Sequence, residues 1–175
     1  MKKKEVFFSS VFITISYALW AALVLFLFII DFSSKRWVID TISIFQVINV
    51  NPYFDMVRLH NSGAAFSFLS DASGWQRWFF IVVGIAAISW FVSLLIDAIR
   101  SSSFLLAASL ALIIAGALGN TWDRLFFGYV VDFLSFHYNE WRYPAFNAAD
   151  TFISCGACLY ICNAIKEHRA HSKRY

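Results

Sequence analysis

Charged residues are scarce in this chain, and their scarcity excludes the commonest class of protein. Only 14% of its 175 residues are Asp, Glu, Lys or Arg, and 60% are hydrophobic. An average soluble domain has about 25% charged and about 45–50% apolar residues, so an ordinary soluble fold is excluded. The length is too short for two large domains. We therefore expect a single membrane domain covering residues 1–175.

Charge is absent altogether from three long windows, residues 6–30, 78–96 and 101–122. A fourth apolar window, which follows Arg142, contains only Asp150 before the basic C-terminal tail. A membrane-spanning helix needs roughly 20 mostly apolar residues. The first window has 25, whereas the apolar core of a cleaved signal peptide has about 7–15, so a retained span is favoured. We predict four transmembrane helices, at about 8–30, 76–96, 102–122 and 148–166.

The distribution of basic residues predicts the orientation in the membrane. Four spans place both termini on one side. The termini and the short second connection carry eight basic and three acidic residues, a net charge of 8 − 3 = +5. The other side carries six basic and eight acidic residues, a net charge of 6 − 8 = −2. Cytoplasmic loops are enriched in Lys and Arg, so we predict cytoplasmic termini and external segments at about 31–75 and 123–147. The total charge of +3 is too small and too scattered to indicate nucleic-acid binding.

The first external segment has the composition of a β-sheet. Residues 36–60 are rich in β-branched and aromatic side chains and are interrupted at Asn51-Pro52, which predicts two or three short strands. Strands cannot leave open edges in lipid, so they should form a small sheet at the surface. Residues 133–149 are expected to form an external loop. The predicted fold is mainly α, with four transmembrane helices and a small extracytoplasmic β-rich segment between the first two.

Small residues form a stripe along the third predicted span. Ala111, Ala115 and Gly119 recur at every fourth position, with Gly116 beside them. Such a stripe allows a second helix to approach closely, so it predicts a helix contact.

Motifs for metal, nucleotide or serine chemistry are missing from the sequence. The chain has no HExxH, no Walker motif and no GxSxG, and its four histidines are scattered. Cys155, Cys158 and Cys162 lie in the fourth span with no other metal ligand nearby. We interpret them as small packing residues, and we expect no metal and no cofactor.

Polar residues collect at the outer ends of the spans, and each has an ordinary structural interpretation. Asp31 and Lys35 lie four residues apart, as in a helical ion pair, and such pairs at an interface contribute little. Asn147 suits a helix N-cap, and Asp150 suits the first turn, where the helix dipole favours negative charge. For Asp150 the local sequence supports this interpretation and a functional one equally.

Asp132 has no such explanation in its local sequence. It stands between the apolar segments LFFGYVV and FLSF, which supply no cation. A carboxylate in apolar surroundings has a raised pKa, and an ionisable group at membrane depth suggests a functional site. We name Asp150 as its partner. Two carboxylates that share a proton can act as general base and general acid on a water molecule, as in aspartic proteases.

Four segments give these residues a context: DFSSK, NSGAAFSF, GNTWDRLFFGYVVDF and FNAAD occur in this order between residues 31 and about 155. Together they resemble the lipoprotein signal peptidases (signal peptidase II), which are bacterial membrane aspartyl proteases. The resemblance implies that Asp132 and Asp150 are the catalytic pair, with Asp31 and Lys35 as structural support near the site. The residues it implies for substrate binding or support are Asn61, Gly63, Asn120, Asp123, Arg124 and Asn147.

The resemblance also implies a substrate and a location. The substrate class is a prolipoprotein whose cysteine carries a diacylglyceryl thioether, with cleavage immediately before that cysteine. The active site would lie at the extracytoplasmic face of the bacterial inner membrane, in contact with membrane lipid, and the β-rich segment would help to hold the substrate. The cyclic peptide globomycin is implied as an inhibitor, and nothing demands more than a monomer. Ser62 stands where threonine or asparagine is common in the family, and it keeps a hydroxyl group.

Two other functions compete with this interpretation. A small carrier or channel needs polar groups near the middle of several spans, whereas here they collect at one face. A non-catalytic scaffold would explain the stripe of small residues but not the Asn and Asp clustered at the outer ends.

Overall fold

The computed structural model describes residues 2–63 and 74–172. Four of its helices are long and apolar enough to cross a membrane, which confirms the predicted fold class. Two strands follow the first helix and two follow the third. In chain order the elements are α1 (Lys2–Thr41), β1 (Val47–Asn51), β2 (Phe54–Asn61), α2 (Trp75–Arg100), α3 (Phe104–Phe126), β3 (Val130–Tyr138), β4 (Trp141–Arg142) and α4 (Ala148–Ser172).

Helix α1 continues well beyond residue 30, where we predicted the first span to end. The segment after residue 30 contains no proline or glycine before the helix ends at Thr41, so nothing in it breaks the helix. Val38 and Ile42 are buried against Val131 and Phe133 of β3, and this packing stabilises the last turns. Asp31 and Lys35 therefore lie inside a helix, with their side chains directed at the protein interior.

The sheet is antiparallel, in the order β1-β2-β3-β4. Strands β1 and β2 form a hairpin that turns between Asn51 and Phe54, close to the predicted break. Half of the sheet comes from the segment between α3 and α4, so the prediction of a loop at 133–149 is wrong. The reason is that the first four residues of β3 are all buried. A strand buried on both faces lacks the alternation by which a half-exposed strand is identified.

The stripe of small residues on α3 is buried, and Gly116 lies at the contact of α3 with α4. Ala111 and Ala115 are fully buried. A Cβ atom added at Gly116 would meet the carbonyl oxygen of Ala149, and would lie 2.7 Å from Cγ1 of Ile153. The two backbones are therefore too close for any side chain at this position, and Ala149 is the residue next to Asp150.

We expect Gly116→Ala to lower stability by about 1–3 kcal/mol, because the added methyl group forces α3 and α4 apart. Thermal unfolding in detergent measures the loss. Ala86→Val, on the exposed surface of α2, is the matched control and should unfold like the wild type. Equal unfolding temperatures for the two variants would contradict the close helix contact.

The cysteines of α4 do not pack inside the protein, which corrects our interpretation. Cys155, Cys158 and Cys162 are free and exposed on the surface of the helix, where a membrane surrounds them with lipid. The sequence carries no information on which face of α4 is covered by α3.

Candidate active site

Asp132 lies near the start of β3, at the level where the sheet meets the helix ends. It is 4% exposed and is the Cα partner of Leu59 on the neighbouring strand. Two side-chain amides donate to its carboxylate: Asn61 Nδ2 to Oδ2 over 3.0 Å, and Asn147 Nδ2 to Oδ1 over 2.7 Å. These two hydrogen bonds offset part of the cost of burying the Asp132 carboxylate. Among the described residues no cation is in direct contact with it.

Asp150 occupies the first turn of α4 and shares a reciprocal cap with Asn147. The Asp150 backbone N–H donates to Asn147 Oδ1 over 3.0 Å, and the Asn147 backbone N–H donates to Asp150 Oδ2 over 3.2 Å. This is the geometry of a capping box. Asn120 Nδ2 donates to the other oxygen, Oδ1, over 2.7 Å. Asp150 is therefore both a helix-capping residue and a member of the polar cluster, and Asn147 is its partner in both roles.

Asn147 connects the two aspartates. Its side chain is fully buried, and Nδ2 reaches both Asp132 Oδ1 at 2.7 Å and Asn120 Oδ1 at 3.3 Å. The same side chain caps the helix that carries Asp150. One residue thus sets the position of a strand carboxylate and a helix carboxylate at the same time.

The electrostatics of the pair favour one shared proton. Burial, together with the nearby charge of Asp150, raises the pKa of Asp132 to about 6, although the Asn61 and Asn147 hydrogen bonds oppose the rise. Asp150 sits at a helix N-terminus, where the aligned peptide dipoles stabilise a negative charge. The arrangement suits Asp132 to hold the proton that the pair shares.

Lys35 is the centre of a buried ion cluster beneath the aspartates. Its Nζ lies 2.8 Å from Asp31 Oδ2 and 3.1 Å from Asp123 Oδ2, and it donates to Asn120 Oδ1 over 3.0 Å. Asp31, Lys35 and Asp123 are at most 2% exposed. The prediction of an interfacial Asp31–Lys35 pair is therefore wrong, since the pair is buried and has a third member.

The cluster also holds the backbone beside each aspartate. Asp123 Oδ2 accepts the Val131 N–H over 3.2 Å, one residue before Asp132. Asp31 Oδ1 accepts the Ala149 N–H over 2.8 Å, one residue before Asp150. The ions thus fix the start of β3 and the start of α4 relative to α1 and α3.

Arg124 and Gly63 form the side of the site next to the chain segment that follows β2. Arg124 donates from Nη2 to the Gly63 carbonyl over 2.8 Å and from Nη1 to the Asn120 carbonyl over 3.3 Å. Its guanidinium lies 4.9 Å from the ring centroid of Phe80. The Gly63 N–H donates to Asn61 Oδ1 over 3.1 Å, which orients Asn61 so that its amide nitrogen faces Asp132.

A cavity of about 560 Å³ opens over these groups. Asp132 and Asp150 both line it, together with polar side chains and apolar ones such as Leu59 and Phe146. Its size lies within the ~300–1,000 Å³ typical of ligand sites. The structure thus brings the sequence-predicted polar residues to one place, either on the cavity wall or directly behind it.

Sequence reasoning missed His60, which also lines this cavity. Its ring stacks on Tyr129 with centroids 3.7 Å apart. Burial, with a smaller effect from Arg58, lowers the pKa of His60, so the ring is neutral at neutral pH and adds no positive charge beside Asp132. Its position next to Asn61 in the sequence was the signal that could have identified it.

Sequence reasoning also missed a buried carboxylate that ties the sheet together. Asp55 on β2 accepts from Asn49 Nδ2 over 2.9 Å and from Arg142 Nη1 over 2.8 Å, and lies 3.2 Å from His137 Nε2. The hydrogen bond from Arg142 holds the pKa of Asp55 below its usual value. These partners come from all three other strands, and no local pattern links them.

Comparison with known proteins assigns the chain that carries this site to a protein family. A family model described as signal peptidase (SPase) II matches residues 23–166. The chain belongs to the signal peptidase II family. This is a family of aspartic proteases, and the four spans make this member a multi-pass protein of the bacterial inner membrane. Asp31, Asp132 and Asp150, with their polar partners, all lie inside the matched range.

Curated relatives and solved structures agree with this assignment. The lipoprotein signal peptidase of Yersinia enterocolitica is 45% identical over 142 residues, 81% of this chain and 83% of that protein. That of Alteromonas mediterranea is 48% identical, with coverages of 79% and 76%. A solved bacterial membrane enzyme superposes with a TM-score of 0.75 at 28% identity, covering 86% of this chain and 90% of its own. A second gives 0.73 at 29% identity.

Proposed function

We propose that this signal peptidase removes the signal peptide from diacylglyceryl-modified prolipoproteins, cleaving immediately before the lipidated cysteine. Removal of signal peptides in lipoprotein maturation follows from the family. The observation that carries the catalytic assignment is the shared Asn147, which places the carboxylates of Asp132 and Asp150 around one cavity.

The two aspartates divide the chemistry between them. Ionised Asp150 takes a proton from a water molecule, which attacks the carbonyl carbon of the scissile peptide bond. Protonated Asp132 donates to the carbonyl oxygen. The tetrahedral intermediate then collapses: Asp150 gives its new proton to the leaving amide nitrogen, and Asp132 recovers a proton from a hydroxyl group of the intermediate. Asn120 orients the base through its 2.7 Å hydrogen bond to Asp150, and Asn61 orients the acid. No metal or nucleophilic side chain is required.

The position of the cavity suits a lipid-bearing substrate. The aspartates stand at one end of the spans, where β3 and α4 begin, so a lipid in the bilayer can present its adjacent peptide bond to them from the side. We propose that this end is extracytoplasmic and that both termini are cytoplasmic, because the short connection and the termini carry the excess of basic residues. The protein works as a monomer, since one chain supplies the whole site.

A carrier or channel is disfavoured by the same geometry. In the described ranges, the buried charged side chains of the spans are Asp31, Lys35 and Asp123, at the same end as the aspartates. An ion pathway needs such groups at successive depths across the membrane. A scaffold needs no cavity that exposes a pair of carboxylates.

A gel-shift assay tests the substrate assignment. The purified protein should shorten a precursor that carries the diacylglyceryl group and leave the same precursor without the lipid intact. Globomycin should block the reaction. Equal cleavage of the two precursors would contradict the lipid requirement without excluding peptidase activity.

We expect the cleavage rate to fall as the pH rises above about 6. The reaction needs the proton on Asp132, and burial raises the pKa of this group to about 6, so higher pH removes the acid. Above that value kcat/KM should fall about tenfold per pH unit, as for the loss of one essential proton. Initial rates on the lipidated precursor between about pH 5 and 9 measure the profile. A rate independent of pH across this range would show that Asp132 is not the acid.

A further inference from the structure

A second cavity, about 860 Å³ in volume, lies between α1 and α2. It is on the face of α3 away from the aspartates. Leu118, Thr121 and Leu125 of α3 line it, whereas Gly116 and Gly119 of the same helix face α4 and the catalytic site. We call this cavity the α1–α2 groove. The proposed cleavage reaction makes no use of it.

The groove presents an almost entirely hydrocarbon surface. Val24 from α1 and Ile88 from α2 are typical of its lining, and the hydroxyl group of Ser89 is occupied by a 2.8 Å hydrogen bond to the Ile85 carbonyl. Its lining on α2 runs from residue 81 to residue 99. At about 1.5 Å per residue this is about 27 Å, most of the ~30 Å hydrocarbon thickness of a bilayer.

An apolar cavity at this depth favours lipid over water as its occupant. Water is absent from the bilayer core and finds almost no hydrogen-bond partners in the groove. An empty cavity would deprive its lining of dispersion contacts. The apolar molecules that surround the protein in a membrane are acyl chains, and the volume falls within the ~300–1,000 Å³ of known ligand sites.

One end of the groove carries a cation suited to a phosphate group. Arg100 ends α2, and its Nε donates over 3.3 Å to the hydroxyl of Tyr17, which lines the groove. Its contact with Asp97 is loose, at 3.8 Å, with side chains 66% and 73% exposed. The guanidinium therefore keeps donors for a phosphate, which it can bind with two parallel hydrogen bonds.

A small hollow at the same end offers room for a headgroup. It has a volume of about 180 Å³ and shares Trp20 and Ile99 with the groove. Ser102 and Ser103 of the α2–α3 connection line it. Polar lining thus begins where the hydrocarbon lining ends, as the chemistry of a phospholipid requires.

We propose that the α1–α2 groove binds an anionic phospholipid, with acyl chains between α1 and α2 and the phosphate on Arg100. The site does not depend on the proposed cleavage reaction. The bound lipid fills the space between α1 and α2 and acts as a structural ligand. Arg100 selects this lipid by the negative charge of its headgroup.

Native mass spectrometry of the full chain tests the proposal. The protein is delipidated in mild detergent and then mixed with phosphatidylglycerol or phosphatidylcholine. We expect one phosphatidylglycerol to remain bound at collision energies that remove phosphatidylcholine. Arg100→Gln should bring the two lipids to parity, a loss of about fivefold in preference, as expected for one basic group at a membrane surface. Ala21→Phe, which fills the groove, should remove retention of both lipids.

Ala22→Phe is the matched control, because Ala22 is also exposed on α1 but does not line the groove. It should retain lipid like the wild type. Equal retention by the Ala21→Phe and Ala22→Phe variants would overturn the site, and an unchanged preference in Arg100→Gln would overturn the role of the arginine. Both alanine variants should still cleave lipidated precursor, so a failure of the lipid site is distinguishable from a failure of the proposed function.

Discussion

Neither Asp132→Asn nor Asp150→Asn is expected to cleave a lipidated precursor, although both variants should still fold into the membrane. An amide keeps the size of the carboxyl group but can neither accept the proton of water nor donate as an acid. General acid–base groups contribute about 10²–10⁴-fold to a rate, and the pair acts as a unit, so either change should reduce kcat by at least that factor. The gel-shift assay on purified protein measures the loss.

Asp40→Asn is the control for this pair of variants. Asp40 is also a carboxylate near the end of a helix, but it is exposed and pairs only with Arg36 over 3.0 Å among the described residues. This variant should cleave at the wild-type rate. Retained cleavage in either Asp132→Asn or Asp150→Asn, with monodisperse protein and normal unfolding, would refute the catalytic pair.

Lys35→Met should be among the most destabilising substitutions in the protein. It leaves the carboxylates of Asp31 and Asp123 buried beside each other without a cation. Breaking a buried ion pair in this way costs about 3–5 kcal/mol. Because Asp31 and Asp123 hold the backbone of Ala149 and Val131, activity should fall together with stability. Thermal unfolding in detergent and the gel-shift assay measure the two effects.

Arg36→Met provides the control at the next residue of the same helix. The Arg36–Asp40 side chains are 60% and 54% exposed, and pairs of this kind contribute about 0–1 kcal/mol. A second variant, Lys35→Met with Asp31→Asn, should recover part of the lost stability because it removes one of the unpaired charges. If Lys35→Met and Arg36→Met unfold at the same temperature, the cluster does not carry the stability that its burial implies.

The spans could be predicted from the sequence because membrane insertion depends on local composition. About 20 uncharged residues are sufficient to predict a helix, since the bilayer leaves the backbone no other way to satisfy its hydrogen bonds. The end of α1 could not be predicted in the same way. Its last turns are stabilised by contacts of Val38 and Ile42 with β3, almost a hundred residues later in the chain.

Strand β3 is the clearest failure of local reasoning. The sequence predicts a loop at 133–149, whereas the run VVDFLSF forms a buried strand in which Asp132 and Ser135 interrupt the apolar residues. Both polar side chains are buried in the fold, and Asp132 is satisfied by Asn61 and Asn147. A polar residue in a buried strand can be understood only with its partners.

The candidate residues were predictable from the sequence, but their roles were not. The spacing of Asp31 and Lys35 by four residues predicts a helical pair, and the structure adds Asp123, which lies 88 positions after Lys35, as the third member. His60 stands beside Asn61 in the sequence, but only the structure shows that it lines the cavity together with Asp132 and Asp150. The contacts of Asp55 with three other strands had no signature at all.

The sequence by itself determined that the chain crosses a membrane four times, with its polar residues gathered at one end of the spans. The free energy of transferring a segment from water into the bilayer is nearly the sum of the contributions of its residues. The composition and length of each segment are therefore sufficient for that conclusion. Only the tertiary structure decided that Asp132 and Asp150 share Asn147, because this meeting requires β3 to close the sheet and α4 to pack on Gly116 of α3. Close packing between distant segments depends on the shapes of both partners, which no single stretch of sequence contains.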